Sequence, residues 1–260
     1  MSNELRVQRK EIIPEGKIVE NIKSILEFYQ DLGFEMLPIN LPSPPFNSPL
    51  GKGARLPSVG QGYRGVKGRQ RGINKEAALN VLRKDIGDCK RCRLSKERTN
   101  IVFGEGNPDA RLMFIGEAPG REEDSQGRPF VGDAGMLLTR LIEKMGFKRG
   151  DVYIANIIKC RPPMNRNPEK DEIESCRGFV EKQIEIIKPE IIISLGRIAS
   201  QTLIGNTGLK MTSIRGNFFD YKGIPLMPTF HPAYLLRNPK DKWLTWSDVQ
   251  KVLEKLKEVT

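Results

Sequence analysis

From residue 75 onward the hydrophobic positions fall into two rhythms. Residues 110–116, 152–158, 190–195 and 224–230 are apolar on nearly every position and bounded by turn formers, as strands buried on both faces are. Residues 75–86, 134–145, 170–187, 198–204 and 247–259 instead carry apolar side chains three and four apart, the repeat of amphipathic helices. Such alternation predicts an α/β fold with a parallel sheet sandwiched between helices. The first residues differ. Ile18, Ile22, Ile25, Leu26, Tyr29 and Leu32 have helical spacing that stops at Gly33. The following stretch, with Pro42, Pro44, Pro45 and the run Gly65 to Gly72, is too rich in Pro, Gly, Ser and basic residues to build a core. The domain reading is therefore a helical extension at 1–36, a linker at 37–74 and a catalytic-type domain at 75–260.

Each apolar run ends in an unusual loop. The first stops at Gly116-Glu117-Ala118-Pro119-Gly120 and continues through Glu123 and Asp124 to Phe130. The second ends at Asn156, followed by Lys159-Cys160-Arg161-Pro162-Pro163; the third ends at Leu195-Gly196 and the fourth at His231-Pro232. Parallel strands put these loops on one edge of the sheet, where α/β proteins bind ligands. One cleft lined by Glu117, Phe130, Asn156 and His231 is the economical construction. Glu117 is a carboxylate on a tight turn, suited to acid/base or electrostatic work. His231 is the only histidine, so any imidazole chemistry must use it.

Charge narrows the partner. With 43 Lys and Arg against 32 Asp and Glu, the net charge of +11 favours a polyanion, nucleic acid ahead of a membrane surface. No apolar run approaches the ~20 residues of a membrane span, and the first residues lack a signal-peptide layout, so a cytoplasmic protein is expected. Four cysteines in a reducing compartment point to ligands rather than disulfides. Cys89 and Cys92 form a C-x2-C pair, and Cys160 and Cys176 follow downstream. Together they make a four-thiolate set for a structural zinc or a [4Fe–4S] cluster, which spacing alone does not separate. Cys160 lies four residues past Asn156, so the metal would brace a loop beside the cleft.

Taken jointly, five motifs resemble the iron–sulfur uracil-DNA glycosylases of family four. They are Gly116-Glu-Ala-Pro-Gly120 with Glu123-Asp124, Gly127-Arg-Pro-Phe-Val-Gly132, Asn156, Cys160-Arg-Pro-Pro163, and His231-Pro-Ala-Tyr-Leu-Leu-Arg237. The resemblance covers about residue 75 to the C-terminus. It implies a four-stranded parallel sheet between helices in three layers, a structural [4Fe–4S] cluster on Cys89, Cys92, Cys160 and Cys176, and removal of uracil from single- or double-stranded DNA. It also implies roles. Phe130 would stack on the everted uracil, and Asn156 would read N3–H and O4, a pattern cytosine reverses. His231 would donate to O2 as charge accumulates there, and Glu117 would stabilise the sugar cation or position water, with Gly116 and Ala118 backbone near the base. The better-known uracil-DNA glycosylases exclude thymine with a tyrosine on this turn. Here that position is Gly120, so Glu123 or a neighbour must serve. Leu235, with Leu236 as the competing choice, would wedge into the duplex, and Lys159, Arg161 and Arg237 would hold phosphates.

The expected enzyme is a monofunctional, monomeric glycosylase that leaves an abasic site. The alternative from another class is a non-catalytic metal-bearing DNA- or damage-binding module on the same fold. Relatives trapped covalently on the abasic sugar carry an extra Arg-rich, His-containing insertion, and this chain has no second histidine. Gln30-Asp-Leu-Gly-Phe34 is similar to short peptides that dock onto replication clamps, a partner expected through the N-terminal segment.

Overall fold

A computed structural model describes residues 74–258. The expected helix at 17–32, the linker and the clamp-like peptide lie outside these residues. The chain enters through α1 (Lys75–Ile86), which starts where the Asn74 side chain accepts from the Ala77 N–H at 3.0 Å and stops at Gly87. It then alternates: β1 (Glu105–Gly106), β2 (Leu112–Gly116), α2 (Arg121–Gln126), α3 (Gly132–Lys144), β3 (Tyr153–Asn156), α4 (Lys170–Ile187), β4 (Ile191–Leu195) and α5 (Arg197–Ile204). The short α6 (Met211–Ile214), β5 (Phe219–Tyr221), β6 (Ile224–Thr229), α7 (Pro232–Arg237) and α8 (Lys242–Glu258) complete it.

The sheet order is β1-β3-β2-β4-β6-β5. The inner four strands, β3, β2, β4 and β6, are parallel, and they are the four apolar runs of the sequence. The expectation of a four-stranded sheet is corrected at its rims, where β1 and β5 add two short antiparallel strands and make the sheet mixed. These strands of two and three residues are too short to show an alternation of their own. Every residue of β2, β3 and β4 is buried, so helices must cover both faces. Met113, Ile115 and Ile192 pack in one cluster with Leu79 and Leu82 of α1, Phe179 and Ile184 of α4 and Leu203 of α5. Leu112, Phe114 and Ile193, facing the other way, are equally buried.

Topology then selects a place for ligands. From β2 the chain crosses to β3 on one side and returns to β4 on the other, so the connections reverse at β2. Such a switch point opens a crevice at the carboxyl ends of the strands. In the β2–β3 register Gly116 lies opposite Asn156, which sets the ends of the two strands side by side at that crevice. No helix among the described residues is long and apolar enough to cross a membrane.

Candidate active site

A cavity of about 610 Å³ opens at the carboxyl end of β2. Its walls come from four stretches: Glu117 to Glu123 after β2, Phe130 and Val131 before α3, the 162–167 loop after β3, and His231 to Arg237 at α7. Three of the four residues expected to share a cleft, Glu117, Phe130 and His231, line this cavity directly. The fourth, Asn156, is buried immediately behind Gly116. A Cβ at Gly116 would collide with both the Asn156 carboxamide oxygen and the Phe130 ring, so glycine is what lets the three meet. That oxygen, Asn156 Oδ1, is buried without a hydrogen-bond partner. An orphaned acceptor costs about 1–3 kcal/mol, a cost that a ligand donor would relieve.

Phe130 holds its ring beside this amide at a backbone φ of +49°, in the left-handed region that a bulky residue rarely adopts. Its turn is clamped from outside. Arg149 donates to the Pro129 carbonyl at 2.6 Å and pairs with Glu105 of β1 at 2.8 Å, and Glu105 also binds Arg128 at 2.8 Å. The unforeseen edge strand thus carries the counter-charge that fixes the aromatic turn.

His231 caps α7. Its Nδ1 accepts from the Ala233 N–H at 3.1 Å, which leaves the ring proton on Nε2. Burial, with a smaller push from the Arg237 charge, lowers its pKa to about 4, so the imidazole is a neutral donor at neutral pH. Its centroid lies 5.5 Å from that of Phe130. Gly196, at φ +88°, gives it room, because a Cβ there would meet the His231 Cβ. Behind the strand, Asp248 of α8 accepts from Thr229 Oγ1 at 2.7 Å and pairs with Arg215, which anchors β6 two residues before the histidine.

Two carboxylates complete the wall. Burial raises the pKa of Glu117, and the Arg197 charge pulls it partly back. Burial also raises that of Glu123, whose Oε2 accepts from the Gly120 N–H at 2.8 Å. The Glu123 carboxylate therefore occupies the space that a side chain at Gly120 would take. Arg237 is exposed at the rim, and Arg161 donates to Asn165 Oδ1 at 2.7 Å beside the cavity.

Two expectations are corrected. Lys159, expected on a phosphate, is 0% exposed. Its ammonium donates to the Asn156 carbonyl at 2.8 Å and to Gln183 Oε1 at 2.7 Å. It therefore braces the backbone of Asn156 from inside and cannot reach DNA. Leu235, expected as the wedge, is 4% exposed, whereas Leu236 is 42% exposed. The residues after His231 form a helix, and its turn carries Pro232 and Leu235 together into the core. Asn165, Arg166 and Asn167 also line the cavity, and the sequence reading passed over them. Their one signal was their place after an apolar run, between Pro163 and Pro168.

The four cysteines come from three separate stretches and share one side of the core. Cys160 and Cys176 are buried in the cluster under α1 and α4, and Cys89 and Cys92 pack against it. Burial pushes the Cys160 thiol up to about 11 and raises Cys176 as well. Arg98 reaches Cys160 Sγ at 3.5 Å, and the Lys159 N–H donates to Cys176 Sγ at 3.3 Å. An all-sulfur donor set with N–H groups aimed at sulfur has the chemistry of a soft metal centre. No three His, Cys, Asp or Glu side chains among the described residues are grouped tightly enough to hold an ion.

Several known proteins are similar to this chain. A profile of the uracil DNA glycosylase superfamily matches residues 103–257. The type-4 uracil-DNA glycosylase of Thermotoga maritima is 44% identical over 187 residues, 71% of this chain and 97% of that protein. That of Saccharolobus solfataricus is 48% identical over 186 residues, 68% of this chain and 86% of its own length. A type-5 uracil-DNA glycosylase of Thermus thermophilus is 34% identical over 128 residues, 43% of this chain and 58% of that protein.

Proposed function

Because the chain belongs to the uracil DNA glycosylase superfamily, we propose that its cavity receives an everted deoxyuridine and hydrolyses the N-glycosidic bond, releasing uracil and leaving an abasic site. The observation that carries the assignment of roles is the partnerless Asn156 Oδ1 beside Gly116 and the Phe130 ring, whose centroid lies 5.5 Å from that of a neutral imidazole. Phe130 stacks on the base. The Asn156 amide accepts from N3–H and donates to O4, an arrangement cytosine cannot satisfy. As the glycosidic bond breaks, the electron pair leaves with the base, and His231 Nε2–H donates to O2 where that charge collects. Glu117 faces the sugar, stabilising its developing positive charge and positioning the attacking water. Glu123 fills the space beside Gly120 and crowds a 5-methyl group, which excludes thymine.

Cys89, Cys92, Cys160 and Cys176 would hold a [4Fe–4S] cluster that ties the C-x2-C segment to the loop after β3 and takes no part in the reaction. Residues 75–260 form the glycosylase domain, which acts as a monomer in the cytoplasm on single- or double-stranded DNA. Arg237 and Arg161 contact phosphates, and Leu236 takes the wedge position first given to Leu235. Residues 1–36 are an N-terminal extension that contacts a replication clamp, and residues 37–74 are a linker.

Incubation with a single-uracil oligonucleotide followed by alkali tests the whole reading. Strand scission at the uracil is expected. An intact strand overturns it in favour of a non-catalytic DNA-binding module.

A further inference from the structure

In the 162–167 loop a large apolar side chain is turned out into water. Met164 is 93% exposed, the highest value among the exposed large hydrophobic side chains of the described residues. It sits at φ +53° and the next residue, Asn165, at φ +54°, two successive non-glycine residues in the left-handed region. Such strain persists only where the surroundings impose it. Here they do. Pro162 and Pro163 fix the entry, and the Asn165 and Arg166 N–H groups bond back to the Pro162 and Pro163 carbonyls at 3.1 and 3.0 Å. Arg161 holds the Asn165 side chain, and Arg166 is bound through two nitrogens to the buried Glu172 at 2.7 and 2.9 Å. The loop is a braced platform with an unbranched apolar tip.

Its position is defined by the sheet. Pro162, Asn165, Arg166 and Asn167 line the same cavity as His231 and Arg237. The loop follows β3 and α7 follows β6, and these strands are the two outer members of the parallel four, with β2 and β4 between them. The stretches that carry Met164 and Leu236 therefore reach the cavity from the two outer strands of the parallel four.

Resting on the glycosylase reading, we propose that Met164 is a second apolar probe, entering duplex DNA on the side of the everted nucleotide opposite α7 and unstacking the neighbouring base pair. Thioether side chains fill irregular gaps and are among those that wedge between base steps. The contact is specific to a stacked duplex, since an unpaired uracil needs no prying.

The test compares wild type with Met164→Ala and Met164→Leu. Single-turnover release is measured from duplex and single-stranded uracil oligonucleotides, with 2-aminopurine as the neighbouring base to report unstacking. Met164→Ala is expected to slow the duplex reaction roughly ten-fold and abolish the fluorescence rise. It should leave the single-stranded rate and the thermal transition unchanged, and Met164→Leu should recover most of the duplex rate. A wild-type duplex rate and fluorescence rise in Met164→Ala, or equal losses on both substrates, overturn the proposal. A wild-type chain that releases uracil from neither substrate overturns the glycosylase reading and this one with it.

Discussion

Replacing His231 tests the leaving-group argument most directly. The ring has two jobs in the structure: Nδ1 caps α7 through the Ala233 N–H at 3.1 Å, and Nε2–H is left to donate into the cavity. With a pKa lowered to about 4, roughly one ring in a thousand is protonated at pH 7. The donor is thus neutral. Removing one preorganised donor of this kind costs about 2.7–4 kcal/mol, or roughly 10²–10³ in rate. His231→Ala should therefore lower the single-turnover rate by about that factor while affinity for uracil-containing duplex stays within about three-fold. It also removes an N-cap, worth about 1 kcal/mol of stability. His231→Asn separates the two effects, since asparagine keeps a capping acceptor without restoring the donor at the same reach. The pH profile supplies the sign. A depressed pKa keeps the ring neutral above about pH 5, so its titration should put no inflection near 6.5, the ordinary histidine value. A reaction that required imidazolium would instead lose rate steadily as pH rises through about 4. Full single-turnover rate in His231→Ala, or that steady loss in the wild type, refutes the reasoning.

Three further outcomes are expected. Asn156→Asp should release cytosine detectably and slow uracil excision by on the order of 10²-fold or more, measured on matched C- and U-containing oligonucleotides; unchanged selectivity contradicts the amide's role. Gly116→Ala should place a methyl group against Asn156 Oδ1 and the Phe130 ring, lowering excision on the order of 10²-fold for a stability loss of about 1–3 kcal/mol; wild-type turnover would mean the pocket yields at that point. Anaerobically purified protein should show the broad visible absorption of an iron–sulfur cluster, lost in Cys176→Ser together with thermal stability; a colourless, zinc-bearing wild type would identify the other metal.

Much of the architecture follows from the order of residues. The four inner strands are continuous apolar runs because a parallel sheet covered on both faces needs no alternation, and their observed bounds fall within two residues of the runs at each end. Helices 75–86 and 170–187 are found with the expected ends, the first between Asn74 and Gly87, which cap it. Once the strands are parallel, their carboxyl ends share an edge, so the meeting of Glu117, Phe130 and His231 around one cavity, with Asn156 behind it, could be foreseen. The rest depended on partners distant in sequence. The family resemblance put Lys159 on a phosphate, yet Gln183 of α4 and the Asn156 carbonyl take its ammonium inside. Leu235 and Leu236 are indistinguishable in a string of letters, and only the docking of α7 decides which one the core receives. The strained turn at Phe130 is held by Arg149 and Glu105, the proton on the His231 ring by the Ala233 amide, and its lowered pKa by burial. Local patterns choose elements because hydrogen-bond period and side-chain alternation are local. Burial, tautomer and strain are settled by whatever packs against a residue, and that is known only when the chain has closed on itself.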